Sequence, residues 1–346
     1  MGAVRELRLD PLSGTWVLIA PGRSLRPGSH RHRRRSRPWP TPGHVASCPF
    51  CPGNEDQTPP EIARAGGPPA GPGWQARVFS NRYPITADPA PDPPGPGTDR
   101  GHGLRRRLGG GAHEVVVLDP RHDAALATMR PEQAAVALRM LRERMRVHLA
   151  AGRRCVQVFL NHEPAAGASI DHPHAQVVAM DVVPPLVARE AAALSGDGCL
   201  LCRAIHEECQ PGAPRVLLRG EVAAWCPFWA SAPYELLLAP RVHGGRLEDA
   251  GEMVAGLAES LVLLLRCLDR AAGDPAYNLV VHSSPAAVDD FHWHLHVRPK
   301  LSEPGGFELG TGMAVVELAP EEAARELRDA HHGLPASSLL PDSPRD

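Results

Sequence analysis

"HPHAQVVAM" (residues 172–180) and, later in the chain, "HWHLHVRP" (residues 292–299) open alike. Each starts with two histidines two positions apart and runs on with apolar residues at alternate positions, the period of a half-buried strand. Each also closes the same series of elements. The first series reads strand "EVVVLDPRH" (114–122), helix over about 131–151, strand "CVQVFLNH" (155–162), loop, then 172–180. The second reads strand "YELLLAPRVH" (234–243), helix over about 247–272, strand "YNLVVHSSP" (277–285), loop, then 292–299. Apolar residues at three-to-four spacing mark the helices, and alternating runs of Val, Leu and Phe mark the strands. A C-x-x-C precedes each series, "CPFC" at 48–51 and "CLLC" at 199–202, and the separation of His122 from His172, 50 residues, is nearly that of His243 from His292, 49 residues. This order predicts an α+β fold of two tandem units, each an antiparallel sheet with a long helix, packed as a pseudo-dimer. The expected domains are residues 1–190 and 191–346.

A chain of 346 residues with 43% hydrophobic content has enough apolar mass for one large or two ordinary cores. Its formal charge of −2 gives no global electrostatic case for a nucleic acid or a membrane as main partner. No basic-then-apolar leader opens the sequence, and the apolar stretch "LAESLVLLLRCL" (257–268) is shorter than a membrane span and carries charge, so a cytoplasmic protein is expected. The 38 prolines and 33 glycines concentrate around residues 27–45, 59–73 and 87–111, which read as long surface loops. Within them "RHRRRSR" (31–37) and "RGHGLRRRLGG" (100–110) read as solvated arms. A zinc-containing nucleic-acid-binding module built on those arms is the alternative of another class; its signature is salt-steep affinity that survives loss of His174.

Eight cysteines in a chain of this length are not a disulfide framework, and four of them form the two C-x-x-C pairs. Zinc takes four nitrogen or sulfur ligands in a tetrahedron, and the repeat supplies such a set twice. The sets are Cys48, Cys51, His122 and His172, then Cys199, Cys202, His243 and His292. With every position filled by protein neither metal keeps a place for water, so both are expected to be structural. Glu190, His282, His294 and His296 form a further carboxylate and imidazole set suited to iron or zinc. Cys155, Cys209, Cys226 and Cys267 read as packing residues.

With His172 committed to a metal, His174 comes next on the same strand face, held rigidly and left uncommitted. A neutral imidazole with one nitrogen tied to a carbonyl presents the lone pair of the other, and is a good nucleophile toward phosphorus near pH 7. The intermediate is then a nucleotidyl-histidine. In the preceding loop "NHEPAAGAS" (161–169), the small residues Ala165, Ala166, Gly167 and Ala168 let backbone N–H groups approach phosphate oxygens, and Ser169 adds a hydroxyl. Gln176 adds an uncharged amide donor. His294 is the repeat-equivalent of His174, but "SSPAAVDDF" (283–291) brings Asp289 and Asp290 toward the place a phosphate would take. Like charge argues against a second active centre there, so one catalytic site per chain is expected.

"GASIDHPHAQ" (167–176) resembles the active-site segment of galactose-1-phosphate uridylyltransferases, a branch of the histidine-triad superfamily, and the likeness runs over most of the chain. "RLDPLSGTWVLIAPGRSLRP" (8–27) resembles that family's first strand and phosphate-contacting arginines, which fall on Arg23 and Arg26. "CPFCPGNE" (48–55) resembles its zinc knuckle, "FSNRYP" (79–84) a nucleotide-contacting loop around Asn81, and "FLNHEPAAGAS" (159–169) the stretch carrying Asn161 and Ser169. The resemblance implies two histidine-triad-like units, nucleotidylation of His174, stabilisation by Gln176, and a homodimer. It also implies a double displacement in which a nucleotide sugar gives its nucleoside monophosphate to the histidine, and a sugar 1-phosphate or phosphate takes it away. UDP-glucose–hexose-1-phosphate uridylyl transfer, a step of galactose metabolism, is the leading expectation.

Two departures bear on specificity. The sugar-exchanging members carry an acidic residue after the loop asparagine, where this chain has Arg82. Their C-terminal hexose-phosphate segment has tyrosine and glutamate, where "GGFELGTGMAV" (305–315) offers Gly310, Thr311 and Gly312, a candidate backbone-amide cradle for phosphate. That segment and the second C-x-x-C with its histidines resemble the ADP-glucose phosphorylase branch, whose acceptor is inorganic phosphate. The second half is expected to contribute to the acceptor pocket.

Overall fold

The computed structural model describes residues 5–21, 23, 41–68, 71, 73–87, 109–194, 198–286, 288 and 290–332. Along them run β1 (Glu6–Leu9), β2 (Trp16–Ile19), β3 (Glu61–Ala65), β4 (Ala76–Ser80), β5 (Gly111–Val117), α1 (Pro131–Ala150), β6 (Cys155–His162), β7 (His174–Met180), α2 (Pro185–Leu194) and α3 (Leu200–Glu208). They are followed by β8 (Val216–Arg219), β9 (Val222–Trp225), β10 (Leu236–Pro240), α4 (Met253–Ala272), β11 (Tyr277–His282), β12 (His294–Pro299), α5 (Gly306–Thr311), β13 (Ala314–Val316) and α6 (Pro320–His332). Arg26, Asp289, residues 31–37 and most of 100–110 lie outside the described residues. No helix among the described residues is long and apolar enough to cross a membrane.

Ten strands form one sheet in the order β3-β4-β5-β7-β6-β11-β12-β10-β9-β8. Read inward from either edge, the order is the same series twice, so the tandem α+β units expected from the sequence are present and related by a pseudo-twofold. Their seam is the antiparallel pair β6 and β11, with Tyr277 opposite His162 and Val281 opposite Val158. A separate small sheet, β1-β2-β13, joins both ends of the chain, β13 lying parallel to β2. The boundary expected after residue 190 falls inside α2.

Strand alternation separates two faces. Val116, Ala175, Val177, Leu236, Leu238, Leu295 and Val297 point into a core shared with α1 and α4, which pack against each other. Their alternates, Val115 and Val117 in one half and Leu237 and Ala239 in the other, point the opposite way into separate clusters around the C-x-x-C cysteines. Every candidate ligand or nucleophile on β7 and β12 faces that second side, away from α1 and α4.

Local chemistry fixes the element ends. Pro131 at the first turn of α1 uses a position where no amide donor is needed, and it holds Arg130 extended. Gly273, at φ 77°, closes α4 with its N–H on the Asp269 carbonyl. The helix expected from 247 begins only at Met253, because Leu247–Asp249 form a 3-10 turn. Gly111 opens β5 at φ 149°, where a Cβ would sit 2.0 Å from the Ala179 carbonyl oxygen. Neither histidine pair lies wholly in its strand: β7 starts at His174 and β12 at His294, with His172 and His292 in the approach.

Candidate active site and metal centres

Cys48 and Cys51, in a turn, meet His122, after β5, and His172, before β7, with one ligand atom from each within 4.8 Å of the others. His122 Nδ1 lies 3.6 Å from Cys51 Sγ, and His172 Nδ1 lies 3.6 and 3.9 Å from Cys51 and Cys48 Sγ. A tetrahedral zinc with its usual bond lengths separates sulfur from nitrogen by about 3.5 Å, so the set fits zinc. The supporting shell fits as well. His172 Nε2–H donates to the Asp119 carbonyl at 2.7 Å, which leaves Nδ1 with its lone pair toward the sulfurs, and the Val45 N–H points at Cys51 Sγ, 3.3 Å away. Burial pushes the His172 pKa down to about 4 and raises the Cys48 thiol. The imidazole is thus neutral, and ionisation of the Cys48 thiol awaits a cation.

The second quartet repeats this almost atom for atom. His292 Nδ1 lies 3.6 and 3.3 Å from Cys199 and Cys202 Sγ, His243 Nδ1 lies 3.4 Å from Cys202 Sγ, and His292 Nε2–H donates to the Pro240 carbonyl at 2.8 Å. It differs in access. Site one is wholly buried, whereas Cys202 is half-buried and the His243 side chain is 38% exposed.

His174 donates Nδ1–H to the His172 carbonyl at 2.8 Å, so its Nε2 carries the lone pair. Burial lowers its pKa, against the opposing pull of that hydrogen bond, and the ring is neutral at pH 7. Together with Phe50, Phe79, Asn81, Tyr83, Ser169 and Gln176 it lines a cavity of about 560 Å³. The expected trio His174, Gln176 and Ser169 is therefore gathered in one place, with Asn81 beside it. Asn161 lies in a small recess that also reaches His174, and its amide reaches the Gly167 carbonyl at 3.4 Å. Arg82 also lines the cavity and donates to the Gln57 carbonyl at 3.0 Å. Arg23 is exposed and does not line it.

Residues 310–312 do not join this cavity either. Gly310 and Thr311 end α5, Thr311 Oγ1 donates to the Phe307 carbonyl at 2.7 Å, and Gly312 caps the helix at φ 71°. A helix C-terminus presents carbonyl oxygens, so this segment lacks the amide cradle expected for phosphate. Gly312 borders a different cleft, with Asp10, Glu235 and Arg298.

That cleft leads to the third candidate set. His282 Nδ1–H donates to Glu190 Oε2 at 2.5 Å, and Glu190, His282 and His294 offer ligand atoms within 4.8 Å of one another. His294 donates Nδ1–H to the His292 carbonyl at 2.9 Å and leaves a buried Nε2 without a hydrogen-bond partner, an orphan that a cation would satisfy. His296 stands beside them, its ring 5.2 Å from that of His282, with Nδ1–H committed to Glu235 at 2.9 Å.

A residue that touches the cavity lining from behind escaped the sequence reading. His113, on β5 and buried, places Nε2 2.8 Å from Gln176 Oε1. The strand was expected to begin at Glu114, one residue later; continuing the alternation of Val115 and Val117 backwards is the signal that reaches it.

Residues 2–184 match the sequence family described as galactose-1-phosphate uridyl transferase, N-terminal domain. The chain belongs to that family. It is 31% identical over 342 residues to the ADP-glucose phosphorylase of Arabidopsis thaliana, covering 94% of this chain and 92% of that one. It is 30% identical over 361 residues to a galactose-1-phosphate uridylyltransferase of Cryptococcus neoformans, covering 93% and 89%. The crystal structure of an ADP-glucose phosphorylase from Arabidopsis thaliana with bound ADP-glucose superposes with a TM-score of 0.78 at 29% identity, over 94% of this chain and 99% of that one. A solved uridylyltransferase superposes at 0.70 with 28% identity, over 95% and 99%. As a member of the galactose-1-phosphate uridyl transferase family, the chain is a nucleotidyltransferase.

Proposed function

We propose that the chain transfers a nucleoside monophosphate from a nucleotide sugar through a covalent adduct on His174, as a hexose-1-phosphate uridylyltransferase. One observation carries this reading: a neutral imidazole, its Nδ1–H fixed on a carbonyl beside a Cys/His quartet, lines a cavity large enough for a nucleotide. His174 Nε2 attacks the α-phosphorus of UDP-glucose; the N–P bond forms, the bridging P–O bond breaks, and glucose 1-phosphate leaves with the electron pair. The imidazole gains positive charge as it bonds, and the His172 carbonyl stabilises the Nδ1–H that carries it. Ser169 and Gln176 donate hydrogen bonds to the phosphoryl oxygens without adding charge. An incoming hexose 1-phosphate then attacks from the side the first leaving group vacated, and two inversions retain configuration at phosphorus.

Zinc in both quartets would act structurally, pinning the approach to β7 and hence the His172 carbonyl. Residues 1–190 then form the catalytic unit and 191–346 a second unit that braces it, in a cytoplasmic homodimer. A second reading, ADP-glucose phosphorylase, is supported by the similarity to the Arabidopsis enzyme over 94% of this chain; inorganic phosphate would be its acceptor.

Exposing the protein to [α-32P]UDP-glucose and, separately, [α-32P]ADP-glucose decides both points. An acid-labile adduct is expected from one of them, and His174→Ala should lose it while keeping its metal content and melting temperature. Turnover retained in His174→Ala would overturn the mechanism. The nucleotide that labels, and release of the label by galactose 1-phosphate or by phosphate, decides between the two readings.

A further inference from the structure

A glutamine side chain has nearly the same shape with its amide turned either way, so a catalytic glutamine needs neighbours that choose its donor end. Around Gln176 the choice is made by a chain of three groups. The backbone N–H of Ile85 points at His113 Nδ1, 3.2 Å away, so that nitrogen is the acceptor. Burial lowers the His113 pKa, the hydrogen bond to Gln176 opposing, and the ring is neutral near pH 7, with its single proton on Nε2. That Nε2–H donates to Gln176 Oε1 at 2.8 Å. The Asn81 amide nitrogen, 3.1 Å from the same Nε2, cannot donate to a nitrogen that already bears a proton, and Asn81 Oδ1 is taken by the Tyr83 N–H at 2.8 Å. Turning Gln176 over would set its amide hydrogens against Nε2–H, and moving the ring proton to Nδ1 would set it against the Ile85 N–H. Both alternatives set a donor against a donor, and the backbone N–H of Ile85 cannot turn aside from the ring as the Asn81 side chain can.

The strands make the contact a built one. β5 and β7 pair with Val115 opposite Gln176 and His113 opposite Val178, so His113 is the diagonal neighbour of Gln176 on the face turned away from α1. We infer that His113 is a positioning residue that fixes the Gln176 amide with its oxygen inward and its Nε2 hydrogens toward the cavity, where they meet the phosphoryl group transferred to His174. This rests on the nucleotidyl-histidine reading above.

The test measures first-turnover labelling of the protein by whichever of [α-32P]UDP-glucose or [α-32P]ADP-glucose labels the wild type. His113→Leu should slow labelling roughly tenfold, the weight of a glutamine's rotamer freedom, with the half-saturating nucleotide-sugar concentration changed less than threefold. His113→Gln keeps a donor of similar reach and should stay within threefold of wild type. In a Gln176→Ala background, His113→Leu should change the rate less than twofold. Wild-type rates in His113→Leu, equal losses in the Leu and Gln variants, or the same loss with and without Gln176 would each overturn the inference. Metal content and melting temperature screen for folding, and the Leu/Gln comparison stands even where both variants are less stable. Absence of any adduct on the wild type would instead sink the underlying reading, which separates the two failures.

Discussion

Replacing Asn278 with alanine should damage chemistry far more than folding, although Asn278 lies in the second unit. It sits on β11 opposite Asn161 of β6, at the seam between the units, and its Nδ2 donates to Asn161 Oδ1 and to the Ala166 carbonyl, both at 2.8 Å. The second bond crosses into the loop before His174. That loop closes on itself through the Ala166, Gly167 and Ala168 amides, and it begins at Glu163 with φ 71° and ψ 154°, a backbone region that is essentially glycine's. Such a conformation costs about 1–3 kcal/mol and persists only when its surroundings enforce it. Two hydrogen bonds contribute about 1–3 kcal/mol together, so the brace and the strain are of one size. The Ala166, Gly167 and Ala168 amides are committed within the loop, not turned toward a phosphate as the run of small residues suggests. Without the brace the loop relaxes, and Ser169 at its end leaves the cavity wall. Labelling of His174 should slow roughly 10- to 100-fold, equivalent to about 1.4–2.8 kcal/mol. Backbone pairing of β11 is untouched, so the melting temperature should fall by only a few degrees. Asn278→Asp, isosteric but lacking the donor, should be at least as slow. Single-turnover labelling beside thermal melts reads both quantities, and wild-type labelling in the two variants would show that the second unit does not hold the loop.

Glu114, buried on β5, accepts both arms of Arg144 at 2.8 and 2.7 Å and lies 2.9 Å from His148 Nε2. Burial alone would raise its pKa, but His148 and Arg144 hold it below the usual carboxylate range. Its contribution is therefore fully present above the unfolded value, about 4.3, and is lost as pH falls through the lower folded value. Glu114→Gln should cost about 3–5 kcal/mol in urea unfolding at pH 7, because Arg144 stays buried without its counter-charge. The gap from wild type should narrow below about pH 4, and a gap that widens there would contradict the assignment. Metal release to a chromogenic chelator should be biphasic, with site two, which exposes His243, emptying before the buried site one; one simultaneous phase would refute the difference in access.

The sequence carries the repeat because both units need the same alternation and the same ligand spacing, and those patterns are local. Cys48, Cys51, His122 and His172 could be grouped from spacing alone, since a tetrahedral site draws on so few residue types. What local pattern does not carry is pairing across the sheet. The β6 and β11 seam and the Asn278 bonds across it leave no trace in either strand's own alternation. His113 stayed hidden for a related reason. It follows a glycine run that reads as loop, and which residue of β7 it meets is set by register across the sheet, not by the alternation of its own strand. The segment at 310–312 shows the converse error: glycines that suggest a phosphate cradle instead end a helix, because Gly312 supplies the left-handed cap that α5 requires.

Pseudo-symmetry copies the tether of His174 onto His294 but not its surroundings. His294 holds Nδ1–H on the His292 carbonyl as His174 does on that of His172, at 2.9 and 2.8 Å. The surroundings then diverge. Nε2 of His174 belongs to a residue on a cavity wall lined by uncharged groups and one arginine, whereas His294 is fully buried between the rings of His282 and Phe291. Glu190 and Glu235 anchor the imidazoles around it, and carboxylates there repel a phosphoryl group while favouring a cation. On the proposed nucleotidyl-histidine reading, a duplicated imidazole meets phosphorus in one unit, while in the other its surroundings suit a cation. The labelled wild type should accordingly carry one nucleotide per chain; a second equivalent that persists in His174→Ala would place reactivity on His294 and break this argument.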